Sequence, residues 1–358
     1  MILVNNPGND FAYAPLQHAE WNGWTPTDLI FPFFLFIVGV SLTLSFRSRM
    51  RKGESRRTLL VHSVRRSAII FLIGLFLNGF PYFHLATWRV AGVLQRIAIA
   101  YLAAALITLY TKTRGIVLWT CGLLAGYWIA MRFVPVPGLG MPGSDMPVLD
   151  PNANLAWYID KRLLPGAMYE GTRDPEGILS TFPAIATTLI GVLTGEWLAS
   201  SNNPEKHDAT KNALALLVVG AAGIVAGQIW SVWFPVNKKL WTSSFVLFTA
   251  GCALVCLAIC YWVCDVKLRR GAWIKPFVVF GTNAIAAYTL ADLLSSLLSD
   301  LRVHVGRHIV PLQDYLYRLA FGSISPKALG SLLYSVAFVG FCWLPIAWMY
   351  RKRVFLKV

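Results

Sequence analysis

Apolar residues recur along the chain in nine runs of about twenty, each long enough to cross a hydrocarbon layer of roughly 30 Å as a helix. The runs fall at 25–46, 60–80, 89–110, 115–134, 179–199, 211–233, 241–264, 274–298 and 328–350. They predict an all-α, polytopic transmembrane helix bundle of about nine or ten helices, forming one domain over residues 1–358. Met1-Ile2-Leu3-Val4 is an apolar stub followed at once by Asn5-Asn6-Pro7-Gly8, too short for a signal peptide. It reads as the end of a first helix whose beginning is cut away.

The first full run has a start signal in Thr25-Pro26-Thr27-Asp28: threonine as N-cap, proline at the first helical position and an acid at the third. No internal repeat or low-complexity tract interrupts the series, so an inverted-repeat carrier is not indicated.

Composition agrees with a lipid environment. Of 358 residues, 56% are hydrophobic and 14% charged, against roughly 25% charged in soluble domains. A net charge of +15 could suggest nucleic acid, but the basic residues cluster in short loops between the runs. Sorting alternate loops gives one face Arg47, Arg49, Arg51, Lys52, Arg56, Arg57, Lys112, Arg114, Lys206, Lys211, Lys267, Arg269, Arg270, Lys275, Arg351, Lys352, Arg353 and Lys357. The opposite face has fewer, spread over longer loops. The positive-inside rule then places residues 5–24, 135–178, 234–239 and 299–327 outside.

All six cysteines lie within apolar runs, where thiols behave as small hydrophobes and disulfides are not expected. Cys252, Cys256, Cys260 and Cys264 form a stripe about 18 Å long, too extended for one metal. His304 and His308 have the spacing of a helical metal pair, but Gly306 lies between them and no third ligand accompanies them. Phosphate-cradling glycine loops, nucleophile elbows and zinc motifs are absent from the sequence.

Candidate chemistry concentrates before the first run, where His18 is the only histidine of a polar segment. A neutral imidazole there could deprotonate an amine or attack an activated carbonyl; the alternative is an interfacial residue beside Trp21 and Trp24 in an aromatic belt. Arg96, inside a run, requires a partner or a cavity. Arg65 and Arg66 could snorkel to headgroups or meet the phosphates of a nucleotide-like cofactor. Asn283 is placed near mid-membrane, where an amide bonds a neighbouring helix or a ligand. Asp174 and Glu176, opening the 179–199 run, could cap that helix or bind a cationic amino group.

These segments also carry a resemblance. Val4-Asn5, His18-Ala19-Glu20-Trp21-Asn22-Gly23-Trp24-Thr25 and Asp28-Leu29-Ile30-Phe31-Pro32 resemble heparan-α-glucosaminide N-acetyltransferase and its bacterial transmembrane acyltransferase relatives. Gly92-Val93-Leu94-Gln95-Arg96-Ile97, Asp174-Pro175-Glu176-Gly177, Pro235 to Ser243 and Phe280-Gly281-Thr282-Asn283-Ala284 continue the resemblance in the same order. It covers nearly the whole chain.

The resemblance implies transfer of acetyl from cytosolic acetyl-CoA to an amino sugar of the glucosamine type across the membrane. His18 is then the catalytic residue, as base or transient acetyl acceptor. Asn5 is its partner, with Asn6 a possible substitute because the spacing is slightly longer than the family's. Arg96, Arg65, Arg66, Lys238 and Lys239 become candidates for the acetyl-CoA site. Asp174, Glu176, Asn283 and Trp21 become candidates for acceptor contact. Membrane lipid, the glycan acceptor and a second copy of the chain are the implied partners, and nucleic acid is not. The large lumenal domain of the animal enzyme and the family's first helix are missing. The competing class is an amino-sugar carrier without acyl-transfer chemistry.

Overall fold

The computed structural model describes residues 1–201, 209–269 and 271–356. Lys206, Arg270 and Lys357 of the charge sorting lie outside the described residues. The order is a single turn α1 (Ile2–Asn5), then α2 (Ile30–Arg51), α3 (Arg56–Gly79), α4 (Val93–Tyr110), α5 (Thr113–Phe133), a short α6 (Leu155–Leu163), α7 (Ile178–Ser201), α8 (Ala209–Trp230) and α9 (Ser243–Tyr261). There follow α10 (Lys275–Thr282), α11 (Ala284–Asp300), a hairpin of β1 (Arg302–Val305) and β2 (His308–Pro311), α12 (Leu312–Phe321) and α13 (Lys327–Arg351).

Eight of the nine predicted runs are single helices long and apolar enough to span a bilayer. The 274–298 run is different. It breaks into α10 and α11, bent by 79°. The break is Asn283, whose backbone leaves helical geometry at φ −132° and ψ 41°. Its side chain holds the segment that follows α13, donating to Val354 O at 3.1 Å and accepting from Leu356 N at 2.9 Å. Asn283 therefore joins chain end to helix break rather than bridging two helices at mid-membrane.

Between lipid-embedded helices there is little hydrophobic drive, so association rests on close backbone approach. In α2 and α7 this is made by Gly39 and Gly191, where an added Cβ would strike the Thr188 and Phe36 carbonyls respectively. Gly220 and Gly227 of α8 seat against Gly251 and Phe248 of α9 in the same way. Around these contacts Leu35, Leu42, Ala98, Ala104, Ala184, Leu189 and Phe245 form the fully buried centre. Pro183 lies inside α7, and Thr187 Oγ1 bonds back to the Pro183 carbonyl at 3.2 Å.

The loops assigned to one side do meet at one end of the bundle. Trp21 Nε1 donates to Leu149 O at 2.8 Å, and its ring lies 5.0 Å from Trp157 of α6. Asn9 Nδ2 reaches Tyr317 of α12 at 2.6 Å, and Gly8 N reaches Ser331 of α13 at 3.0 Å. His304 and His308 belong to the hairpin, opposite Ile309 and Val305 respectively, and Gly306 turns it at φ 62°. The helical metal pair is thus corrected: strand pairing replaces helical spacing, and no metal-binding cluster occurs among the described residues.

The glycine contacts separate two kinds of substitution. Gly191→Ala is expected to lower stability in detergent by about 2 kcal/mol or more, because backbone cannot yield. Gly126→Ala in α5, where nothing stands in the way, should leave the melting temperature unchanged or raise it. Equal melting temperatures for the two variants would refute glycine-mediated seating of α2 on α7.

Candidate active site

The segment before α2 is shaped by its capping box. Thr25 begins a 3₁₀ turn over Pro26–Leu29, and Asp28 returns its carboxylate to the Thr25 N–H at 3.0 Å. The same Oδ2 accepts from Ala19 N at 3.0 Å, which folds residues 18–19 back over the helix start. Oδ1 is left for His18, whose Nδ1 stands 2.6 Å away. Asp28 is 1% exposed while the imidazole is half exposed, so a buried carboxylate holds a ring that looks into open space. That space is a cavity of about 270 Å³ bounded by Leu3, Val4, Pro7, Asn9 and the N-terminal end of α13 at Ser331 and Ser335.

With Asp28 as partner, Nδ1 carries the proton and donates it to Oδ1. Nε2 then keeps its lone pair, the tautomer a base requires. Lys238 also reaches the ring, with Nζ 2.9 Å from Nδ1, 3.2 Å from Nε2 and 3.5 Å from Asp28 Oδ1. Burial pulls the Lys238 ammonium below its ordinary range, and attraction by Asp28 and Glu176 offsets only part of this.

Lys238 is placed by its neighbour. Asn237 is fully buried, donates to Trp21 O at 3.0 Å and Asn22 Oδ1 at 3.2 Å, and accepts from Leu240 N at 2.9 Å. Gly23 N adds a bond to Val236 O at 2.8 Å. The two loops are stitched together on either side of the histidine and lysine.

Behind this pair lies a second charged layer. Arg89 grips Asp174 through Nε at 2.7 Å and Nη2 at 2.6 Å, and reaches Glu176 at 2.6 Å. Burial opposes the Arg89 charge, but the two carboxylates outweigh it and raise the guanidinium above its usual range. Asp174 also accepts from Tyr169 N and Glu176 N, so its oxygens are engaged within the protein. The cap on α7 comes from elsewhere: Asp160 of α6 accepts Ile178 N at 2.8 Å. Its other oxygen is buried without a partner.

Arg96 is 2% exposed. It donates to Gly177 O at 3.2 Å and Ser180 Oγ at 2.5 Å, with its guanidinium 5.2 Å from the Trp241 ring. Its Nε has no partner. It therefore pins the start of α7 against α4. Arg66 lies over Tyr101 at 4.8 Å with Nε unpartnered, and Arg65 is exposed. Lys239 pairs with Glu170 at 2.8 Å, away from His18.

Of the residues singled out in the sequence, His18 and Lys238 come together. Asn5 does not line the His18 cavity; it faces a smaller one with Tyr288 and Asp292. Asn6 is buried and donates to Ile2 O at 2.8 Å. Trp21 is committed to Leu149 and Trp157. Sequence reasoning gave Asp28 only a capping role and missed Asp160 and Arg89. The readable signal for Asp28 was an acid at a helix start ten residues after the lone polar-segment histidine.

Fold and site together define a polytopic helix-bundle membrane protein with a carboxylate-oriented histidine at one end of the bundle. The family profile described as heparan-alpha-glucosaminide N-acetyltransferase, catalytic, matches residues 9–235, and the chain belongs to that family. It is similar to heparan-alpha-glucosaminide N-acetyltransferase of Mus musculus, 31% identical over 344 residues, covering 83% of this chain and 52% of the relative. The protein of the same name from Homo sapiens is 29% identical over 407 residues, covering all of this chain and 58% of the relative. The chain thus spans about half the length of the curated relatives it matches.

Burial pushes the Asp160 carboxyl up to about 6, with the Ile178 N–H and Arg96 drawing it back only in part. The native state therefore holds this proton more tightly than the unfolded chain. Its stabilising contribution is complete below the ordinary carboxylate pKa of 3.8 and is lost as pH rises to about 6. Over that window wild type should lose up to about 3 kcal/mol that Asp160→Asn retains. Melting curves of both proteins in detergent at pH 4, 5, 6 and 7 check this; parallel pH dependences would contradict it.

Proposed function

We propose that this chain is a transmembrane acetyltransferase that moves an acetyl group from acetyl-CoA, supplied on the inner side, to the amine of a glucosamine-type sugar on the outer side. The observation that carries the reading is the His18–Asp28 pair at 2.6 Å, with the imidazole open to a cavity. Family membership and the sorting of basic loops support it.

His18 Nε2 takes the proton of the acceptor amine as its nitrogen bonds to the acetyl carbonyl carbon. The carbon–sulfur bond breaks, and the imidazolium returns the proton to the leaving thiolate. Asp28 fixes the tautomer and supports the transient positive ring. Lys238, beside Nε2, is placed to meet negative charge developing on the carbonyl oxygen. Acetyl-CoA enters as the substrate that supplies an activated carbonyl. Arg66, with an unpartnered buried Nε, and exposed Arg65 suit its phosphates. Arg96 is too enclosed for that task and serves by ordering the α7 start.

Reconstituted protein given labelled acetyl-CoA and glucosamine should form N-acetylglucosamine. His18→Ala should lower the rate at least about 1,000-fold and Asp28→Asn at least about 100-fold. Transfer that persists in His18→Ala would sink the catalytic assignment, and sugar flux without acetylation would favour a carrier. For sidedness, a reporter active only outside should work after Arg162 and stay silent after Arg114; the reverse pattern would invert the proposed orientation.

A further inference from the structure

The small cavity that Asn5 faces belongs to no step above. Asn5 and Asn6 from α1 and its following residue form one wall, and Tyr288, Asp292 and Ser295 of α11 form the other. Residues 288, 292 and 295 share one helical face by their spacing. Asp292 is a half-buried carboxylate on α11, the longer arm of the bent apolar pair, a costly placement unless something neutralises it. Among the described residues it has no ion pair or hydrogen bond. Of the other acids near these loops, Asp28 is paired with His18 and Lys238, Asp174 and Glu176 with Arg89, and Glu170 with Arg173 and Lys239, while Asp10 and Glu20 are exposed. Asp160 has the charge of Arg96 acting on it.

We propose that the cavity between α1 and α11 is a subsite for a primary ammonium group, with Asp292 supplying the countercharge and Asn5, Tyr288 and Ser295 the remaining acceptors. An ammonium presents three donors, and these side chains offer more than three acceptor positions. The Asn6 amide nitrogen is spent on Ile2 O, whereas Asn5 has no side-chain partner among the described residues. The volume of about 40 Å³ admits an ammonium head and excludes a sugar ring. The ring would extend outward.

The subsite shares a wall with the proposed catalytic cavity. Leu3, Val4 and Pro7 face His18, while Asn5 and Asn6 face Asp292. Tyr288 stands in the fields of Asp292, Glu176 and Arg89, and Glu176 acts in turn on Lys238. The inference rests on the acceptor being an amine, and it deepens that reading. Asp292 selects the protonated acceptor; the extra ammonium proton leaves to water as the amine moves to the catalytic cavity, so His18 receives only the second proton, the one it returns to the thiolate.

The test measures binding without acyl donor. Full-length protein in phosphatidylcholine nanodiscs, which carry no primary amine, is titrated at pH 7 with glucosamine, glucose and ethanolamine. Glucosamine and ethanolamine should bind, glucose at least tenfold more weakly than glucosamine. Asp292→Asn should lower glucosamine affinity at least tenfold, Tyr288→Phe by a few-fold, and His18→Ala by less than twofold. Asp292→Asn removes an unmatched charge and should melt no lower than wild type, so lost binding is not lost folding. Unchanged glucosamine affinity in Asp292→Asn, or equal affinity for glucose, overturns the subsite. Tight amine binding with no acetyl transfer would leave the subsite standing and remove the proposed function instead.

Discussion

The end of the bundle where the long loops meet is organised by one carboxylate. Asp28 closes the capping box of α2, ties residues 18–19 back over that helix, and holds the His18 ring, with Lys238 drawn in behind. A helix start must satisfy its free N–H groups somehow. Here the residue that does so is buried, charged and bidentate, so the geometry of the cap and of the candidate base are one geometry. Loss of the carboxylate would free the N-terminal segment and the imidazole together. The amide isostere would keep the shape and remove the charge.

Run length and capping chemistry are local, and what depended on them was legible. Eight spans, the Thr25–Asp28 start and the all-α class follow from composition within windows of about twenty residues. The bend at Asn283 was not legible, because Gly281-Thr282-Asn283 reads as an ordinary span interior. The helix breaks there because the amide is drawn to backbone groups more than seventy positions later. The α7 cap was misplaced for a similar reason. Asp174 and Glu176 stand next to the helix in sequence, but Arg89 claims them from 85 and 87 residues away, and Asp160 takes the vacant role.

Site residues divide in the same way. His18 could be picked out as the lone titratable base of its segment. Its relation to Lys238 could not, since it spans 220 positions and is set by Asn237 stitching one loop to another. Arg96 was correctly marked as needing a partner within the membrane. The sequence left open whether that partner is a cofactor; the packing supplies Gly177, Ser180 and the face of Trp241.

The two cations near the imidazole's surroundings show how the site sets its own polarity. Asp28 Oδ1 stands 2.6 Å and Lys238 Nζ 2.9 Å from Nδ1, so a carboxylate and an ammonium face the ring together. Arg89 withdraws Asp174 and Glu176 from this balance by pairing with them, so the nearby acids do not swamp the ring with negative field. A positive acceptor amine is therefore not held by the His18 layer, where Lys238 would repel it. The unpaired carboxylate of α11, Asp292, lies one wall away, and under the proposed subsite that separation lets a cation be attracted at one place and a base be kept at another.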